Sequence, residues 1–145
     1  MARQWLIELE GSEWSGAGEL WLDPEGNVAE RCQCTLKIVE NELHYSWSYQ
    51  GEAQNGKFTF SKTGASWVDS WHQPSLATCT NVVDAKGLFT VEHVYAVPSN
   101  PDWGWRSQLS KRPDGNLVLQ MTNITPWGEE GRAVRMIFTS EEHKA

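Results

Sequence analysis

Along most of this chain apolar and polar residues alternate with a period of two. Cys32, Cys34, Leu36 and Ile38 fall on one face of a segment whose other face carries Arg31, Gln33, Thr35 and Lys37. Leu43, Tyr45, Trp47 and Tyr49 repeat the pattern against His44, Ser46, Ser48 and Gln50. Phe58 and Phe60 alternate with Lys57, Thr59 and Ser61, and Leu117, Leu119 and Met121 with Val118, Gln120 and Thr122. Val134, Met136 and Phe138 close the series. Successive side chains of a strand point to opposite faces, so this pattern predicts strands with one face buried and one in water.

Turn signals separate these segments. They fall at Asp23–Asn27, Asn41-Glu42, Asn55-Gly56, Lys62–Gly64, Asp84–Gly87, Pro113–Asn116 and Gly128–Gly131. Asn-Gly and Asp-Gly favour the positive backbone angles of tight hairpins, and Pro presets the start of a turn. The resulting strands are expected at 14–22, 28–39, 42–50, 56–62, 66–73, 77–82, 88–97, 103–112, 116–123 and 132–139. Short strands joined mainly by short turns predict a single all-β domain over 1–145, an antiparallel up-and-down barrel of about ten strands. Trp5, Leu6 and Leu9 have helical spacing and predict a short plug or lid near residues 2–10.

Composition sharpens this picture. Nine Trp residues supply large apolar area to a chain only 39% hydrophobic. A net charge of −7, with no Lys/Arg cluster, argues against nucleic-acid partners. Cys32, Cys34 and Cys79 form no CxxC pair and read as buried free thiols, so neither a disulfide framework nor a metal site is expected. No stretch approaches a membrane span, and the opening MARQWLIELEG lacks the apolar core of a signal peptide. A cytoplasmic protein is the expectation. Asn123-Ile124-Thr125 matches the glycosylation acceptor pattern without the secretory context that would give it meaning.

The stretch Gly11-Ser12-Glu13-Trp14-Ser15-Gly16-Ala17-Gly18-Glu19-Leu20 resembles the first strand of calycin-type barrels. With Trp67-Val68-Asp69-Ser70-Trp71-His72 it is similar to bacterial proteins of the DUF1579 family and, more distantly, to nitrobindin-like barrels. The resemblance implies a lipocalin-like barrel with a central cavity, and for the DUF1579 group no settled function. In the nitrobindin-like branch a histidine on a late strand ligates haem. The last expected strand here has none, and His143 lies in the charged tail, so no haem or other cofactor is expected. Gly11, Gly16 and Gly18 also have a purely structural reading, a sharp bend that closes the barrel around Trp14.

Candidate chemistry concentrates in a few segments. Alternation sends Trp67, Asp69 and Trp71 one way and Val68, Ser70 and His72 the other. A carboxylate between indoles must be neutral or matched by donors, either as a structural network or as a ligand-orienting acid. His93 shares its face with Phe89, Val91, Tyr95 and Val97, the position of a core histidine or of a base beside Asp69, Tyr45 and Tyr49. Trp103, Trp105 and Trp127 sit beside Pro- and Gly-containing loops, where they pack the barrel end or stack a ligand. Arg106 pairs with Glu92 across the ladder if both face outward, and recognises an anion if both face in. The candidate ligand-contacting residues are Asp69, His93, Tyr45, Tyr49, Trp67, Trp71, Trp105 and Arg106.

Three functions follow from this reading. A barrel of this size holds one small apolar or planar molecule. A barrel filled by its own aromatics would act through its surface, for example as a homodimer. An enzyme would use His93 with Asp69. No GxSxG, HExxH or paired CxxC pattern is present, and Ser70 with His72, a hydroxyl and an imidazole two residues apart, is a very weak basis for hydrolysis, so catalysis has the thinnest support.

Overall fold

The computed structural model describes residues 3–141. A short helix, α1 (Gln4–Glu8), precedes ten strands: β1 (Glu13–Trp21), β2 (Ala29–Val39), β3 (Glu42–Tyr49), β4 (Glu52–Phe60), β5 (Gly64–Asp69), β6 (Gln73–Asn81), β7 (Phe89–Tyr95), β8 (Trp103–Lys111), β9 (Leu117–Ile124) and β10 (Glu130–Ser140). Each strand pairs antiparallel with its neighbours in sequence, and β10 returns to β1, closing the barrel. The up-and-down architecture expected from alternation is the one observed.

Register carries each alternating face inward. Leu36, Tyr45, Gly56 and Asp69 form one continuous row across β2 to β5. At Gly16 and Gly18 the β1 backbone lies so close to β10 that an added Cβ would strike the carbonyls of Ile137 and Arg135. Those glycines let β1 coil tightly enough to close the cylinder, as expected from their place in a strand.

The two ends of the barrel differ. At the closed end α1 lays Trp5 face to face with Phe89 at 5.8 Å and edge-on to Phe60 at 5.2 Å. Leu6, Ile38, Leu43, Phe58, Leu109, Leu117 and Phe138 fill the volume beneath, all buried. The expected short plug is the helix Gln4–Glu8. The opposite end, the mouth, is bounded by the loops β1–β2, β3–β4, β5–β6, β7–β8 and β9–β10.

Two local expectations are corrected. Asn55-Gly56 is not a turn: it lies within β4, and the hairpin turns instead at Gln50 and Gly51, both with positive φ. The segment expected as a strand over 66–73 breaks at Asp69, because the Asp69 carboxylate captures the N–H groups of Trp71 and His72, both at 2.8 Å. Such a side-chain-to-backbone turn ends the ladder and ends the alternation. Trp71 therefore lies on the rim, 42% exposed, and His72 turns into the barrel.

One seam is thinner than the rest. β6 and β7 share only the Thr80–Glu92 and Asn81–Val91 pairs, extended by a bond from the Val82 N–H to the Thr90 carbonyl at 3.0 Å. The register shift between Trp67 and Asp69, opposite Ala77 and Gln73, draws the start of β6 out of line.

Candidate functional site in the barrel mouth

The mouth half of the interior is built on a buried carboxylate. Asp69 is 1% exposed. Its Oδ2 accepts a hydrogen bond from the Tyr45 hydroxyl at 2.5 Å, and Tyr45 Oη in turn accepts one from Trp67 Nε1 at 2.8 Å. Gly56 makes this chain possible. It sits between Tyr45 and Asp69 in the row, and a Cβ there would lie 2.2 Å from Tyr45 Cζ and Oη. Only the absence of a side chain on β4 lets the phenol of β3 cross to the carboxylate of β5.

The other oxygen of Asp69 faces His72. Oδ1 accepts the two turn N–H groups and lies 3.4 Å from His72 Nδ1, an electrostatic approach without the alignment of a hydrogen bond. Burial pushes the Asp69 carboxyl up, but His72 and the Tyr45 hydroxyl outweigh it, and the net direction is below the ordinary carboxylate value. Burial and the adjacent Asp69 charge push the Tyr45 phenol well above its usual range. The pair is therefore an ionised carboxylate held by a protonated phenol at neutral pH.

Aromatic rings enclose the imidazole. His72 lies 5.8 Å from Trp47 and 5.1 Å from Trp105. Trp105 continues the stack to Trp67 at 5.6 Å, and His93 meets Trp67 edge-on at 5.5 Å. His93 Nδ1 lies 3.6 Å from Cys79 Sγ. Burial lowers the His93 pKa and pushes the Cys79 thiol up to about 11, so both are neutral at pH 7. Four buried ring nitrogens in this cluster, on Trp47, Trp105, His72 and His93, have no hydrogen-bond partner among the described residues.

A cavity of about 270 Å³ opens from this cluster to the mouth. Its lining includes His72, Trp71, Trp105, Asn123, Trp21 and Arg132. Asn123 faces inward from β9, with its Oδ1 accepting from Tyr95 Oη at 2.5 Å. Arg132 lies over the Trp21 ring at 4.8 Å and donates to the Gly26 carbonyl. A second concavity of about 560 Å³ over the β6–β7 seam reaches His93 and Trp105 from the side. Another hollow, of about 790 Å³, lies over β2 to β5, with Tyr45 and Asp69 among its lining residues. Its Lys57 and His44 are already drawn to Glu42, at 3.7 and 2.9 Å, and no orphaned buried nitrogen belongs to it.

The sequence-derived candidates divide clearly. Tyr45, Trp67, Asp69, His93 and Trp105 share one interior cluster. Tyr49 and Trp71 lie above it at the rim, packed edge to face at 5.2 Å. Arg106 is outside: it grips Glu130 at 2.6 Å and approaches Glu92 at 3.5 Å. The outward register holds for that pair, so its candidacy for the interior site is withdrawn. The imidazole beside Asp69 is His72 rather than His93, and the Ser70–His72 hydroxyl–imidazole pair does not form, since the Ser70 hydroxyl donates to Gln54 at 2.7 Å. His72, Trp47, Asn123 and Gly56 were missed. The Asp69-Ser70-Trp71-His72 spacing, a turn-forming Asp followed by the residues whose N–H groups it caps, was the signal that could have found His72.

Among the described residues no group of three or more His, Cys, Asp or Glu side chains is arranged to hold a metal ion, and no helix is long and apolar enough to cross a membrane. Compared with protein-family models, curated proteins and solved structures, the chain finds no significant match.

Proposed function

We propose that the mouth of the barrel binds one small planar molecule, one or two rings in size, between the Trp71–Trp105 wall and the His72 imidazole. The observation that carries this reading is the mouth cavity lined by Trp71, His72 and Trp105, on whose wall the buried Trp105 Nε1 has no hydrogen-bond partner among the described residues. A buried polar group left unsatisfied costs about 1–3 kcal/mol, and such groups are rare in folded proteins. An unpartnered indole N–H on the cavity wall fits a site that a ligand completes. The cavity falls just below the roughly 300–1,000 Å³ of drug-sized sites, which sets the size of the occupant. The likeness of the Trp67–His72 segment to DUF1579-type barrels supports an interior site without naming its ligand. Three buried free thiols, Cys32, Cys34 and Cys79, suit a reducing compartment such as the cytoplasm.

Native mass spectrometry of gently purified protein, compared with the denatured chain, tests this reading. A reproducible added mass of one- or two-ring size, lost in Trp105→Leu, is the expected result. Bare protein before and after incubation with source lysate would remove it. A barrel that acts by pairing with a second copy is the other reading, favoured by Trp127, 70% exposed at the mouth beside Trp103 and Pro24. Sedimentation as a concentration-independent monomer would eliminate that alternative.

A further inference from the structure

We propose that His72 accepts a proton from the molecule bound in the mouth cavity, and that this molecule is a planar O–H acid, a phenol or an enol, held as its anion. The inference rests on the cavity reading above and gives it a chemical class.

The imidazole is over-determined. The carboxylate that approaches Nδ1 is itself fixed by the backbone N–H of His72 and of Trp71, so ring and carboxylate are set by the same turn. Trp47 and Trp105 then restrict rotation of the ring. Nδ1 is buried against Asp69, whereas the side chain keeps 13% exposure and lines the cavity, which leaves Nε2 as the nitrogen facing it. A carboxylate beside Nδ1 favours the tautomer with hydrogen on Nδ1 and the lone pair on Nε2. A proton arriving at Nε2 leaves the Nδ1–H directed at that carboxylate, 3.4 Å away.

The charged and titratable groups around His72 are otherwise committed. Asp69 on β5 is negative, and the Tyr45 proton on β3 is spent on it. On β7, His93 lies beyond Trp67 and is neutral. Asp23, in the β1–β2 loop, is bound by the N–H groups of Asn27 and Val28. Arg132 on β10 contributes positive charge at the mouth. The surroundings thus supply a base, the Trp105 indole N–H and the Arg132 cation, which the Asp23 carboxylate partly offsets, for an anion between flat walls. A carboxylic acid enters already ionised at neutral pH and needs no base. A phenol or enol is still protonated in water, and this site is suited to take that proton. The step breaks the ligand O–H bond and forms Nε2–H. No other bond changes, and release reverses it.

4-Nitrophenol tests the proposal, because its phenolate is yellow and its phenol is not; 4-nitroanisole serves as the control that cannot ionise. The titration is run at pH 7, above the ordinary histidine value of about 6.5, where a neutral imidazole is available, and the colour of bound probe is compared with that of free probe at the same pH. Wild-type protein is expected to turn most of the bound probe yellow. His72→Gln should bind both probes, seen as quenched tryptophan fluorescence, while leaving the bound phenol colourless. Probe bound by the wild type with no more phenolate than in water would overturn the inference and leave the cavity reading standing. Equal colour in His72→Gln would do the same. Failure of both probes to bind would remove both. If His72→Gln does not fold, ¹⁵N NMR of the free wild-type imidazole decides instead. Hydrogen on Nδ1 is expected, and hydrogen on Nε2 would refute the proposal.

Discussion

The closed half and the mouth half of this barrel use the same residue type to opposite ends. Beneath α1, aromatics pack mainly on one another, Trp5 on Phe89 and Phe58 on Phe60, with Leu109 and Phe138 completing the layer and the Arg3 guanidinium over the Phe60 ring. In the mouth, aromatics surround polar groups, with Trp47 and Trp105 on His72 and Trp67 on the Tyr45 hydroxyl. Continuous apolar packing stabilises the cylinder without needing partners. Among the described residues Trp5 Nε1 and Arg3 Nε are unpartnered there too, but the mouth cluster holds four such nitrogens. On the proposed reading, stability and recognition belong to different ends of one sheet.

Substitutions at the two ends should separate these roles. Phe58→Ala, fully buried in the closed half, is expected to cost about 3–5 kcal/mol in chemical denaturation while leaving probe binding in the folded fraction unchanged. A smaller cost with lost binding would mean that the two halves are not independent. Gly56→Ala is expected to cost roughly 1–3 kcal/mol, because the new methyl must displace the Tyr45 ring. It should also free the Asp69 carboxylate, moving the His72 imidazole resonances, whereas Phe58→Ala should not.

Two pH dependences refine the contrast. Asp69 titrates below its ordinary 3.8 in the folded chain, so the unfolded chain takes up the proton first. Its stabilisation is complete above that value and drains away as pH falls through the folded pKa. Asp69→Asn, which keeps an acceptor for the turn, should flatten this acid limb in urea titrations. His93 has a folded pKa below its ordinary 6.5, so the unfolded chain alone is protonated just under that pH. Stability should therefore rise with pH up to about 6.5. His93→Gln should remove that rise, and an unchanged slope would assign it to another group.

The strands, and the inward face of most of them, were legible in the sequence because a period of two, once one face is buried, admits a single solution. For 88–97 and 103–112, where polar residues fall on both faces, the facing stayed open. Asp69, Tyr45 and Trp67 were readable for the same reason: each sits within a regular run and inherits its face from its neighbours. His72 was not, because its orientation is set by two backbone hydrogen bonds that interrupt the run just before it. Gly56 was misread for a related reason. Asn-Gly has strong turn chemistry, yet here the glycine is required by a ring arriving from the next strand, a non-local demand that no local signal carries. Arg106 depended on register alone, and its outward partner Glu130 lies too far along the chain to have been paired with it by spacing.

A closed cylinder normally spares a sheet the hazard of free edges. Here the thin β6–β7 seam gives part of that protection back. Beyond its two register pairs, the start of β6 and the end of β7 carry main-chain groups not paired across the seam, beside Leu76 and Val94, which are 69% and 70% exposed. These are short templates for pairing with another copy, tempered by Pro74, which has no N–H to offer, and by Glu92 nearby. The smallest effect on folding is accordingly expected from Val94→Lys, within about 0.5 kcal/mol of the parent. Its concentration-dependent aggregation, followed by light scattering, should nonetheless be slower. The seam is thus the place where this barrel is expected to be most open to pairing with another copy, in a wall whose other strand pairs run longer.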